Sequence, residues 1–378
     1  MLKQPKTEIK IAGAGPSGLT AAICLAKGGY PVALHEAKET VGARFIGDFQ
    51  VLENGSGHPD PLMMLNDLGI AVNFFVQPIY EATLFDFRLK PTTVSSSAPF
   101  SYLIRRGTRS GMNGDISLET GLLRQAEAAG VKIYYRSRLR PEEADIIATG
   151  PTRADGLAKE MTFLTDHPNT VWVLFDMQYA PGGYAYLFVW EGQATFGCAI
   201  TYDLPQINAY FEKALTRFAE IGSFVIRDEQ FGYSFMDFTL QSSAAQDQRL
   251  YIGEAAGFQD YLFGLGLRYA MMTGYFAACS VMNDLSYDPL WKADLRRSQE
   301  ISLINRSLYE WGGNWGLSQF IRRAGKTDFR KYLTAWQRPH PLKRLLLPIV
   351  KQVWRRDRLC RHPLPAHWCR SIRKRSAS

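Results

Sequence analysis

Residues 8–19 read EIKIAGAGPSGL, an apolar run that turns directly into glycines spaced G-x-G-x-x-G. Alone that spacing says little, because glycine turns are common; its surroundings give it meaning. It follows a strand-like segment over 9–12, opens a helix-like one over 17–27 that stops at Gly28-Gly29, and precedes a second strand over 31–35 closed by Glu36. Each part has a physical task. Gly13 permits the tight turn, Gly15 lets backbone approach a pyrophosphate, and Gly18 allows the helix to pack closely on the strand. Pro16 and Ser17 start the helix, whose N-terminal N–H groups and partial positive charge attract an anion. Glu36 accepts hydrogen bonds from ribose hydroxyls and repels a 2′-phosphate. The pattern therefore predicts a βαβ unit that binds a dinucleotide.

Farther along, the texture changes twice. After an irregular stretch with strand-like alternation over 82–89 and a break at Ser95-Ser96-Ser97, a helix is expected over 118–129 and strands over 131–135 and 144–150. From about 170 to 240 the chain reads as β-rich, with runs at 171–177, 184–190 and 194–201 and one helix near 206–219. A buried strand at 249–253 and a long helix over 266–283 follow, and beyond Asp288 the pattern is helical. No internal repeat is visible. The second informative stretch is YIGEAAGFQDYLFGLGLRYAMMTG, residues 251–274, in which Gly253 and Glu254 end a strand and Gly264-Leu265-Gly266 opens a helix.

This stretch resembles the second flavin motif of the FAD-dependent oxidoreductases, with Glu254 where that motif has Asp. Val41-Gly-Ala-Arg44 is similar to the G-G-R-type turn after the acidic strand end, and 146–150 to the A-T-G strand that ends on Gly150. Pro181-Gly-Gly-Tyr184-Ala-Tyr186-Leu-Phe188 resembles the P-G-G-Y-x-W-x-F-P segment of the geranylgeranyl reductase family, relatives of the aromatic-ring monooxygenases and flavin-dependent halogenases. The resemblance spans roughly residues 8–285. It departs at Tyr186, where the family has Trp, and at the short 136–144 connection, which leaves little room for the family's three-stranded meander. It implies an α/β fold: a discontinuous FAD-binding Rossmann-type domain of the glutathione-reductase kind (1–50, 98–160, 245–285), a β-rich substrate domain (51–97, 161–244), a helical region (286–337) and a tail (338–378).

It also implies FAD as cofactor. Gly13, Gly15, Pro16, Ser17, Gly18, Glu36, Arg44, Arg105, Gly150, Gly253, Glu254, Gly264, Leu265 and Gly266 are the expected binding residues. Tyr184, Tyr186, Phe188 and Trp190 alternate along one strand face and are expected to line an apolar substrate cavity, or else simply to pack the sheet. Asp260 and Tyr261, beside the flavin turn, and His58 are the candidate proton-transfer groups, against readings as cap, packing residue and turn. No second G-x-G-x-x-G follows a strand, so reducing equivalents are expected from a transiently bound reduced nicotinamide or a protein electron donor. The reaction implied is reduction of a C=C bond in an isoprenoid-like substrate. A monooxygenase, a halogenase and a non-enzymatic flavin-loaded binding protein are the alternatives; no W-x-W-x-I-P segment supports the halogenase.

Charge separates the tail from the body. The net charge of +8 hides an asymmetry: 12 Lys or Arg and one acid lie from Arg338 onward, leaving 32 bases against 35 acids before it. Nucleic acid is therefore not the expected partner of the body. Leu342, Leu345, Leu346, Ile349, Val350, Val353 and Trp354 fall at helical spacing among Lys343, Arg344, Lys351, Arg355 and Arg356. That segment reads either as an anchor on an anionic membrane surface or as a helix docked on the body. Five scattered cysteines, no C-x-x-C and no apolar N-terminal run lead us to expect a reducing, cytoplasmic setting and no metal site; the anchor reading of the tail adds peripheral attachment to the inner membrane face.

Overall fold

The computed structural model describes residues 7–55, 57–107, 116–353 and 367–369. The opening unit forms as read: strand Ile9–Ala12, helix Pro16–Lys27, strand Val32–His35. It sits in a six-stranded sheet ordered Ala245–Gln246, Arg249–Tyr251, Ile146–Ile147, Ile9–Ala12, Val32–His35, Lys132–Tyr134. All neighbours are parallel except the edge pair Ala245–Gln246 and Arg249–Tyr251. Ile11 lies opposite both Leu34 and Ile146, and all three are fully buried. Such continuous apolar runs are what a parallel sheet covered on both faces requires. The 136–144 connection holds only the short turn Pro141–Glu143 and no meander.

Helices Pro16–Lys27 and Leu267–Asn283 lie against one another at backbone contact. A Cβ on Gly274 would stand 2.4 Å from the Ser17 carbonyl oxygen. No side chain fits such an approach, so the two turns that open these helices are held side by side.

The β-rich portion is a seven-stranded sheet ordered Arg227–Met236, Gly156–Leu164, Gln193–Ile200, Tyr184–Trp190, Thr170–Leu174, Glu81–Phe85, Pro91–Ser95. Strand Gly156–Leu164 runs unbroken through position 160. One face of this sheet, with Phe163, Leu187, Phe196 and Cys198, packs on helix Ile207–Ile221 through Phe211 and Phe218. The opposite face, with Ala158, Glu160, Tyr184, Tyr186 and Phe188, looks into a cavity. Period-two alternation produces both surfaces from the same strands. A small antiparallel sheet of Phe49–Glu53, Ser101–Arg105 and Val76–Ile79 joins the two large ones.

Beyond Asp288 the chain is helical through Val353, with a long helix Arg297–Ala324 kinked at Gly313 (φ 52°, ψ −157°). It differs from the wholly helical expectation at His367–Cys369, a strand whose backbone pairs antiparallel with Thr239–Gln241. Trp354, Arg355 and Arg356 lie outside the described residues. The long helix grips the start of strand Tyr184–Trp190: Arg306 donates to the Gly182 carbonyl and Thr201 Oγ1, and the Tyr309 hydroxyl donates to the Gly183 carbonyl. The two glycines let this segment lie close against strand Gln193–Ile200 and the residues that follow it. A Cβ on Gly183 would lie 1.9 Å from the Ala199 carbonyl oxygen, and Gly182 has φ +66°.

Gly183→Ala is expected to destabilise the fold by about 1–3 kcal/mol, the usual cost of overpacking. Chemical denaturation measures it, and an unchanged midpoint would show that this approach is not tight in solution.

Candidate functional site

The glycine turn forms one end of a cavity of about 550 Å³. Two of its glycines are required by the protein itself. Gly13 has φ +102° and a Cβ there would stand 2.4 Å from the Ala148 carbonyl oxygen; one on Gly18 would stand 2.0 Å from that of Gly13. Gly15 is different. It lines the cavity in an ordinary extended conformation (φ −75°, ψ 178°), and a Cβ would meet no protein atom within 4 Å. The space beside it belongs to the groove. No side chain caps the helix that begins here at Pro16, so its first N–H groups face the same space.

Glu36 also lines the cavity, and its carboxylate is pinned by backbone: Oε2 accepts from Ala14 N (3.0 Å) and Oε1 from Lys38 N (2.9 Å). Fixed this way, its remaining lone pairs can accept from hydroxyl groups of a ligand. Arg44 stacks between Phe45 and Phe235, its guanidinium carbon 5.5 and 5.3 Å from the ring centres. It also stands beside Gly150 (φ +79°). These parts set a helix N-terminus, a fixed carboxylate and a guanidinium along one groove.

The second turn closes the middle of the cavity. The Asp260 and Leu265 backbones bridge, Gly264 takes φ +73°, and Gly266 precedes helix Leu267–Asn283 without a side-chain cap. Glu254 reaches toward Gly266, where an added Cβ would lie 3.1 Å from Glu254 Oε1. Burial raises the Glu254 carboxyl above its ordinary range, opposed by Arg44 and Arg106. Gly253 lies behind the cavity wall: its φ is +57°, a Cβ would stand 2.7 Å from Ser17 Oγ, and its N–H donates to Thr273 Oγ1. Like Gly18, it acts by close packing rather than by facing the groove.

Beyond the turn the cavity becomes apolar. Tyr184, Tyr186 and Phe188 line it with Phe175, Phe263, Phe320 and Phe329. Tyr184 donates its hydroxyl to the Phe263 carbonyl (2.8 Å), and Tyr186 and Phe188 stack at 4.7 Å between centroids. Trp190, the fourth residue of the alternation, lies past the cavity end and lines a separate small pocket with Tyr80 and Trp172.

Three other expectations are corrected. Tyr261 is fully buried and absent from the cavity lining; its hydroxyl donates to the Thr239 carbonyl and accepts from Gln299 Nε2. It is a packing residue. His58 sits one layer behind the wall, its Nε2 2.8 Å from the hydroxyl of the lining residue Ser298. Burial, then Arg268, lower its pKa, so it is held neutral. Arg105 stacks on Phe49 at 4.6 Å and donates to the Gly47 carbonyl, away from the cavity. The next residue, Arg106, faces the cavity instead, tied to Glu119 (2.6 Å) and Gln50. Asp260 does line the cavity, but its carboxylate already accepts from Ser302 Oγ and Phe263 N (2.9 Å).

Three lining carboxyls escaped the sequence reading: Glu119, tied to Arg106 as above, Glu53 and Glu160. Glu53 pairs with the buried Arg268 through Oε1 (2.8 Å), while Oε2 has no partner among the described residues. Glu160, next to Lys159, reads in sequence as half of a surface charge pair; the strand sends the two to opposite faces. Burial, then the charge of nearby Asp48, pushes Glu160 up to about 8. Among the described residues no group of His, Cys, Asp and Glu could hold a metal ion.

No family model and no curated protein sequence matches the chain. Solved structures do. A geranylgeranyl bacteriochlorophyll reductase-like protein from Thermoplasma acidophilum aligns with TM-score 0.70 over 91% of this chain and 98% of its own, at 16% identity. The fold is shared. CmlS, a flavin-dependent halogenase, aligns at 0.57 over 92% and 70%, with 16% identity. A flavoprotein/dehydrogenase from Cytophaga hutchinsonii aligns at 0.58 over 92% and 99%, with 14% identity.

Gly15→Val should fold with an unchanged melting temperature when free of nucleotide, because nothing in the protein opposes the added side chain. It should retain no dinucleotide through purification. Normal nucleotide content, measured by absorbance after denaturation, would remove this turn from the site.

Proposed function

We propose that the chain is an FAD-dependent oxidoreductase, a reductase that delivers hydride from reduced flavin to a C=C bond of an apolar, isoprenoid-like substrate. The observation that carries this is continuity: the groove at Gly15 and Glu36 runs past Gly264–Gly266 into the Tyr184, Tyr186 and Phe188 wall as one cavity. The shared fold with a reductase-like protein and with flavin-dependent proteins supports the class.

The residues fit FAD. The Gly13–Ser17 turn would hold the pyrophosphate, Glu36 the ribose, Arg44 a phosphate and Glu254 the ribityl hydroxyls. Bound flavin supplies reversible hydride chemistry. The chain supplies the rest. The uncapped start of helix Leu267–Asn283 places N–H groups and a positive dipole end where negative charge would gather. The aromatic wall excludes water and orients an apolar chain. Among the described residues, Lys38 is the one lysine that lines the cavity, and it lies at the Glu36 end. The reducing equivalents would come from a reduced nicotinamide or a protein donor that binds transiently.

The tail helix Pro341–Val353 supports a membrane-surface role for the same protein. Val350 is buried against Leu303 and Ile304, whereas Leu342, Leu345 and Ile349 are 64, 71 and 54% exposed beside Lys343 and Arg344. No helix among the described residues is long and apolar enough to cross a membrane. An anionic surface would cover the outward apolar face and meet the basic residues.

Purified protein should be yellow. After anaerobic reduction with dithionite it should be reoxidised by a polyprenyl alkene, with the saturated product seen by mass spectrometry. Rapid oxygen consumption with a hydroxylated or halogenated product would refute the reductase assignment. Replacing Leu342, Leu345 and Ile349 together by Asp should lower partition onto anionic liposomes at least about tenfold without loss of flavin, since each Leu or Ile burial contributes about 1.5–3 kcal/mol. Unchanged partition would dismiss the surface role.

A further inference from the structure

The cavity face of the large sheet carries one carboxyl group among small and aromatic residues, and the sheet is built around it. Glu160 pairs with Gly232 on one neighbouring strand and with Gly197 on the other, and Gly197 pairs in turn with Tyr186. The four residues form a row across four strands. Gly197 is the opening in that row: a Cβ there would stand 2.2 Å from the Tyr186 ring and 2.4 Å from its hydroxyl oxygen. The phenol ring therefore lies across the missing side chain, and its hydroxyl arrives 3.5 Å from Glu160 Oε1. Ser234 hydrogen-bonds the same carboxyl from the far strand. Glu160, Tyr186 and Ser234 all line the cavity, and Glu160 is 4% exposed.

We infer that Glu160 and Tyr186 are the proton-delivery pair of this cavity, Tyr186 giving its hydroxyl proton to the substrate and Glu160 replacing it. The inference rests on the reductase reading. One alkene carbon gains a hydride with its electron pair from a reduced flavin. The π electrons form the bond from the other carbon to the Tyr186 proton. Tyr186 takes the proton of Glu160, which is left as a carboxylate and is reprotonated from solvent. A 3.5 Å separation is long for a hydrogen bond, and contacts of this kind commonly tighten when substrate fills a site.

The surroundings keep the acid form. Burial raises Glu160 most and the charge of nearby Asp48 adds to it, while Ser234, Arg44 and Tyr186 oppose both. Tyr184 and Cys198 also feel Glu160, and burial keeps both neutral. A carboxyl raised to about 8 is protonated at neutral pH and loses its proton as pH rises through that value. Delivery is therefore intact at neutral pH and fades above about 8.

Two variants and two readouts test this. In infrared difference spectra of resting protein at pH 7, Glu160→Gln should lose a protonated-carboxyl band that Tyr186→Phe keeps. If Glu160→Gln leaves every such band in place, Glu160 is not the resident acid and the inference fails. In turnover, Glu160→Gln and Tyr186→Phe should bind flavin normally but reduce alkene at least about 100-fold more slowly, the scale of a general acid. The wild-type decline above pH 8 should vanish in Glu160→Gln. Wild-type rates in both variants would overturn the delivery step and leave the reductase reading standing. A wild-type protein that shows the band but reduces no alkene would overturn the reductase reading, and the delivery step with it.

Discussion

Everything in this molecule depends on an approach of backbone to backbone around Ser17 and Gly18. Four glycines meet there from distant parts of the chain. Gly13 and Gly18 face one another across the first turn, Gly253 presses on the Ser17 side chain, and Gly274 presses on the Ser17 carbonyl. A methyl group at any of the four would collide with main chain or with a short side chain that cannot move away. Because this contact admits no spacer, two helix starts separated by about 250 residues are fixed side by side, and both open on the same space. The groove is a product of that contact.

Legibility in the sequence followed the range of the interactions. Strand Ile9–Ala12 and strand Tyr184–Trp190 form where the pattern puts them, because glycine turns and unbroken apolar or aromatic runs are local signals. The two turns and their order were likewise legible, since their spacing carries the geometry. Strand Gly156–Leu164 was not, because Lys159 and Glu160 at its centre resemble a solvated stretch. Only the partner strands reveal that one points to helix Ile207–Ile221 and the other to the cavity.

The same reason explains the individual corrections. Arg105 and Arg106 are equivalent on paper; strand pairing decides which of them faces inward. Tyr261 sits beside the flavin-type turn in sequence, but the turn reverses the chain and sends its ring into the packing under Thr239 and Gln299. Trp190 shares a face with Tyr184, and the cavity ends before that face does. Spacing specifies the side of a strand, whereas the extent of a cavity is set by what covers it.

The cover over the aromatic wall comes from the far end of the chain, and it is fastened differently from the rest. Phe329 sets its edge on Phe100, and Asp328, which caps helix Phe329–Gln337 through Lys331 N, also accepts from the Ser96 hydroxyl and from the Ser97 hydroxyl and N–H. The serine run that looks like a mere interruption is thus a clasp. On that side helix Phe329–Gln337 also sets Tyr332 and Trp336 against Phe320 and ties Arg330 to the Asn54 carbonyl. A stretch with no periodic pattern thus fixes a wall that the sheet does not itself supply.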